Sequence, residues 1–125
     1  MSFVAIHKHV IIRATVNKPM TSRGQAKLML RHFVDELGMV QVTPPQSAYV
    51  EEKGNEGLTG SINLATSHIA FHVWDTTGLL MMDIYSCKEF DTHSMLRLLD
   101  VYFEVVSLDS VVEIDRATTE FTRVI

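Results

Sequence analysis

The side chains able to do chemistry are concentrated in one stretch, from Gly57 to Cys87. It holds a Ser67-His68 pair, a second histidine at His72, and the only tryptophan (Trp74) and only cysteine (Cys87) of the chain. A serine hydroxyl is a weak nucleophile unless a base and an oxyanion donor assist it. A thiol, with a reference pKa near 8.5, stays largely protonated at neutral pH and can give up a proton. Each residue also has a plainer reading. A lone cysteine in an apolar strand is more often a small core residue. His68 and His72 sit four residues apart, about 13 Å along a strand, too far to share a zinc ion.

The elements that must position these groups read as three consecutive antiparallel strands. Val, Ile, Phe, Trp and Tyr recur among small residues, and Asp75-Thr76-Thr77-Gly78 has the chemistry of a hairpin loop. A turn about Thr76-Thr77 sets Trp74 opposite Leu79 and His72 opposite Met81, with Thr66 and Ser67 opposite Cys87. A turn about Ala65-Thr66 sets Thr59 opposite His72. Two clusters result, Ser67 with Cys87 and Thr59 with His72. On one extended strand Ser67 and His72 lie about 16 Å apart. A single chain cannot easily unite the clusters, whereas a two-fold axis between two chains would lay each against its counterpart.

Gly57-Leu58-Thr59-Gly60, Ser67-His68-Ile69, His72-Val73-Trp74 and Asp83-Ile84-Tyr85-Ser86-Cys87, at these intervals, resemble the small S-adenosylmethionine decarboxylase proenzymes. The match is close over about thirty residues and loose over the rest. The resemblance implies self-cleavage between Thr66 and Ser67. Ser67 Oγ attacks the Thr66 carbonyl, converting amide to ester. Loss of the Ser67 Cα proton expels the Thr66 carboxylate, and the resulting dehydroalanine hydrolyses to a pyruvoyl group. Thr59 is then the supporting hydroxyl and His72 the processing base. The pyruvoyl ketone is the cofactor, forming a Schiff base with the substrate amine, with no metal required. Cys87 is the proton donor that returns a proton to carbon. Trp74, Asp75, Thr76 and His68 are the substrate-binding candidates.

Two positions depart from that pattern. Thr66 stands where the family has Glu, and Asp75-Thr76 where it has Pro-Glu, the Glu being the expected partner of the ribose hydroxyls. Thr76 cannot accept two hydrogen bonds as a carboxylate does. S-adenosylmethionine, feeding spermidine synthesis, is the favoured substrate. A basic amino acid, ornithine or arginine, is the alternative, since Asp75 suits an ammonium or guanidinium. A third reading, of a different class, is an unprocessed non-catalytic partner of the same fold.

The remainder of the chain fits one domain spanning residues 1–125. A net charge of −4 without a basic stripe makes nucleic acid a poor partner. One cysteine excludes an intrachain disulfide and fits a reducing compartment. No apolar run is long enough to cross a membrane, and His7, Lys8, His9 and Arg13 break any signal-like N-terminus. A soluble, cytoplasmic protein is expected. Val4 to Val16 alternates as a first strand. Thr21 or Ser22 caps a helix ending at Gly38. Short strands are expected at Met39–Val42 and Ser47–Val50, then a charged loop from Glu51 to Gly57. A second helix covers Thr92 to Val105 and a last strand Ser110 to Asp115, leaving a tail of unassigned shape. His7 and His9 read as a surface pair, and Met29, Met39, Met81, Met82 and Met95 as core filler. The pattern implies an α+β two-layer sandwich, a mainly antiparallel sheet with both helices on one face. The other sheet face, with two histidines and a Trp, is too apolar to lie bare; a homodimer carrying the active site on that side satisfies it.

Overall fold

The computed structural model describes residues 6–125, so the Val4 and Ala5 part of the expected first strand lies outside the described residues. The elements, in chain order, are β1 (Lys8–Val16), α1 (Arg23–Leu37), β2 (Gln46–Val50), β3 (Gly57–Asn63), β4 (His68–Trp74) and β5 (Leu79–Ser86). They continue with α2 (Thr92–Phe103), β6 (Val105–Asp115) and β7 (Glu120–Arg123). All seven strands join one antiparallel sheet in the order β2-β3-β4-β5-β1-β6-β7. The first strand therefore enters the middle of the sheet, between β5 and β6.

Alternation decides which side each strand buries. On β1, Val10, Ile12, Ala14 and Val16 are buried while Ile11 and Arg13 are exposed. On β4 the buried set is Ile69, Phe71 and Val73. Both helices press their apolar stripes onto that side: Met29, Leu30 and Phe33 from α1, and Met95, Leu99 and Phe103 from α2. The Phe103 ring meets Phe71 edge-on at 6.0 Å between centroids. Each such large side chain contributes about 1.5–3 kcal/mol by leaving water.

Local chemistry sets the helix ends. Ser22 Oγ accepts the Gln25 N–H at 3.2 Å, and Gly38 takes the left-handed conformation, φ 66°, that closes α1. Asp91 Oδ1 accepts the His93 N–H at 3.0 Å at the head of α2. Elsewhere the chain departs from the pattern reading. Met39–Val42 forms no strand, only a single bridge between Gln41 and Leu64, because Pro44 and Pro45 leave too few residues to extend the pairing. The final strand begins earlier than Ser110, at Val105, because it zips along β1 with register shifts near Arg13 and Thr15. The tail folds back as β7. Met81 is not core filler: it lies half-buried on the opposite sheet face, while Met29, Met82 and Met95 are buried.

Among the described residues, no helix lies over that opposite face. Ile11 is 42% exposed there, and Ala70, His72, Met81 and Asp83 line a shallow depression beside it.

Candidate active site

Both hairpins of the central stretch adopt the expected register. Thr59 pairs with His72 across β3 and β4, and His72 pairs with Met81 across β4 and β5. The β3–β4 connection is a tight turn in which the Leu64 N–H donates to the Ser67 carbonyl at 2.9 Å. A further bond from the Ala65 N–H to the Val40 carbonyl, 3.2 Å, anchors that turn on the segment after α1. Ser67, 6% exposed, is thus held at the mouth of β4 while Thr66 stays exposed.

The far end of β5 comes up beside this turn. Cys87 donates its backbone N–H to Ser67 Oγ at 3.2 Å, and its Sγ lies 2.6 Å from Thr66 Oγ1. Both residues of the Thr66–Ser67 peptide bond therefore touch Cys87, Thr66 at the thiol and Ser67 at the backbone N–H. With the Ser67 oxygen already accepting from a backbone N–H, its own proton remains available to a base. Ser67 is shielded from bulk water, with the Cys87 thiol beside its neighbour Thr66.

The second cluster is separate. Thr59 Oγ1 and His72 Nδ1 are 2.7 Å apart on the helix-free sheet face, and Thr59 Oγ1 also reaches the Phe71 carbonyl at 3.4 Å. His72 is exposed. Within one chain the sheet holds this pair away from Ser67, since five residues of extended strand separate them, about 16 Å.

The substrate-side candidates divide. The Trp74 ring lies tilted beside the His72 ring at 6.2 Å between centroids, and its indole N–H donates to Asn55 Oδ1 at 3.3 Å, tying the charged loop before β3 to the strand end. Asp75 begins the β4–β5 turn. It takes a short hydrogen bond from the Tyr49 hydroxyl, and its other oxygen, Oδ1, is buried without a hydrogen-bond partner. That bond, more than burial, pushes the Tyr49 phenol above its usual range. Thr76 is exposed in the turn, where it cannot replace a carboxylate. His68, next to Ser67, lies 3.3 Å from Asp83 and packs against the Tyr85 ring.

Several groups at the site carry no local sequence signal. Tyr49 and Asn55 reach it only because β2 pairs with β3, Tyr49 opposite Leu58. His9, expected as a surface residue beside His7, is half-buried and approaches Asp83 at 3.9 Å. Its parity on β1 was legible, but its neighbours depend on β1 entering between β5 and β6.

Comparison with known proteins first places the architecture. The two-layer α+β sandwich matches the crystal structure of the adenosylmethionine decarboxylase from Aquifex aeolicus, with a TM-score of 0.70, over 89% of this chain and 90% of that one. At 16% identity that likeness concerns the fold. The sequence model of the S-adenosylmethionine decarboxylase family matches residues 8–117, and the chain belongs to that family. A proenzyme of that name from Thermoplasma volcanium is 47% identical over 34 residues, 27% of this chain and 26% of that protein. One from Archaeoglobus fulgidus is 29% identical over 77 residues, 61% of this chain and 66% of that protein. The chain thus aligns with about a quarter to two thirds of the length of these relatives.

Proposed function

We propose that this chain is a self-processing proenzyme whose product is a pyruvoyl-dependent decarboxylase of S-adenosylmethionine. The observation that carries the reading is the contact of Cys87 with both Thr66 and Ser67, its thiol at the Thr66 hydroxyl and its backbone N–H at Ser67 Oγ. Family membership supports it. In processing, Ser67 Oγ attacks the Thr66 carbonyl carbon, and the C–N bond breaks as the ester forms. Removal of the Ser67 Cα proton then breaks the Cβ–O bond, releasing Thr66 as a carboxylate. Water adds to the dehydroalanine and ammonia leaves, so residue 67 becomes a pyruvoyl group heading the 67–125 piece.

Thr59 and His72 assist from a second copy of the chain. Thr59 donates to the developing oxyanion and His72 takes the proton. The exposure of His72, beside half-buried Thr59, on a sheet face bearing Ile11, Ala70 and Met81 supports a homodimer packed through that face. The pyruvoyl group supplies an electron sink for carboxylate loss. Cys87 then returns a proton to carbon, its backbone N–H already bonded to Ser67 Oγ and its thiol at the adjacent Thr66. His68, the next residue, orients the substrate from the same strand, and Trp74 walls the opposite end. Asp75 takes over from Thr76 the acceptor role toward substrate hydroxyls, with Tyr49 fixing its orientation. The unpartnered Asp75 Oδ1 also favours a second reading, in which the substrate cation is an ornithine or arginine side chain.

The test begins with mass measurement of the purified chain under denaturing conditions. The expected result is two pieces, residues 1–66 and 67–125, with an intact 14.1 kDa chain for Ser67→Ala. Carbon dioxide release from S-adenosylmethionine, ornithine and arginine then separates the substrates. A wild-type chain that stays whole and is silent on all three overturns the enzyme reading in favour of a non-catalytic partner.

A further inference from the structure

Next to the reacting residues, the sheet face opposite the helices gathers three potential ligands from three neighbouring strands. His9 on β1 and His68 on β4 both stand opposite Tyr85 of β5. Asp83 lies two residues before Tyr85 on the same face, so it is the diagonal neighbour of both histidines. One ligand atom from each of His9, His68 and Asp83 lies within 4.8 Å of the other two. Asp83 Oδ1 is 3.3 Å from His68 Nε2, and Asp83 Oδ2 is 3.9 Å from His9 Nε2. His9 Nε2 and Asp83 Oδ1 are buried, and the approaches of 3.3 and 3.9 Å between Asp83 and the two histidines close no well-formed hydrogen bond at either atom. Buried polar atoms normally find one, so two orphans pointing into one small space ask for an occupant.

We propose that His9, His68 and Asp83 form a binding site for a divalent transition-metal ion of the Zn2+ type. Two imidazole nitrogens and a carboxylate favour such an ion over Mg2+ or Ca2+, which take oxygen ligands. Bonds of about 2.0–2.1 Å imply ligand separations of about 3.4 Å in a tetrahedral site. Asp83, with its side chain 37% exposed, has the freedom to close the remaining gap. Three protein ligands leave a fourth position open. The Tyr85 ring, packed on both imidazoles, limits their rotation. This ion is separate from the decarboxylation chemistry proposed above; its consequence is to pin together β1, β4 and β5 beside the scissile bond.

The test is titration of the untagged chain with Co2+, read by visible d–d absorption, and with Zn2+, read by calorimetry and thermal shift. The uncleaved Ser67→Ala chain is run alongside, so binding is scored independently of processing. One ion per chain is expected in both, with a tetrahedral-type Co2+ spectrum. Since even outer partners of metal ligands cost about 10–100-fold, His9→Gln and Asp83→Asn should each weaken binding about a hundredfold or more. His32→Gln, on α1, should bind as wild type. Absence of binding, or binding unchanged in His9→Gln and Asp83→Asn chains that retain native circular dichroism, overturns the proposal.

Discussion

Replacement of Thr59 by Val tests the division of labour between the two clusters. Valine keeps the β-branched shape on β3 and removes only the hydroxyl that lies 2.7 Å from His72 Nδ1. If that hydroxyl serves the oxyanion at residue 66, its loss should slow cleavage by about a hundred- to a thousandfold, or about 2.7–4 kcal/mol of barrier. Its structural worth is smaller. A hydrogen bond at an exposed pair contributes about 0.5–1.5 kcal/mol to folding, and a folded chain with that much less stability remains folded. The two effects therefore differ enough to be told apart. Newly synthesised chain is sampled over time, denatured and weighed, following the 14.1 kDa species into its two pieces. Thr59→Ser should restore most of the rate, because it returns the donor without the methyl group. Cleavage of Thr59→Val at the wild-type rate, with unchanged melting, would refute the reasoning, and so would a Thr59→Ser chain as slow as the valine variant.

Cys87→Ala should still cleave, since the bond to Ser67 Oγ comes from the backbone N–H, which survives the substitution. Decarboxylation of the processed product should fall about 10²–10⁴-fold, measured as carbon dioxide release against the same quantity of cleaved chain. Gly57→Ala should destabilise the fold, because a Cβ there would stand 1.9 Å from the Val73 carbonyl oxygen, a clash with backbone that cannot swing aside. A loss of about 1–3 kcal/mol in urea unfolding is the expected scale. Acid should weaken the head of α2. The Ser94 hydroxyl, and then the His93 N–H, hold the Asp91 carboxyl below its ordinary value of 3.8. A lowered folded pKa gives stability present above the unfolded value and lost as pH falls through the folded one. In unfolding curves Asp91→Asn should therefore be less stable than wild type at about pH 6, and the gap should narrow as pH falls below about 4.

Much of the site's scaffolding was legible because it is local. A hairpin's register follows from its turn, so Thr59 opposite His72, and Ser67 near Cys87, could be counted from the Ala65-Thr66 and Thr76-Thr77 turns. Helix ends were legible for the same reason: Ser22 and Gly38 act on backbone groups within one turn. Alternation on β4 likewise separated Phe71 from His72 before any coordinates, because successive side chains point to opposite faces.

Long-range pairing was another matter. The expected strand at Met39–Val42 and the unassigned tail came out as a bridge and as β7, since pairing partners, not propensity, decide short strands. Tyr49 reaches Asp75 across 26 residues of chain, and His9 reaches Asp83 across 74, contacts that no periodicity announces. Turn chemistry and spacing alone determined how each hairpin would align, and so which side chains stand beside Thr66 and Ser67. Only the tertiary structure decided that β1 lies between β5 and β6, and with it which titratable side chains share the open face of the sheet. The physical reason is that turns and caps act over a few residues, whereas strand order is settled by the burial of the whole core at once.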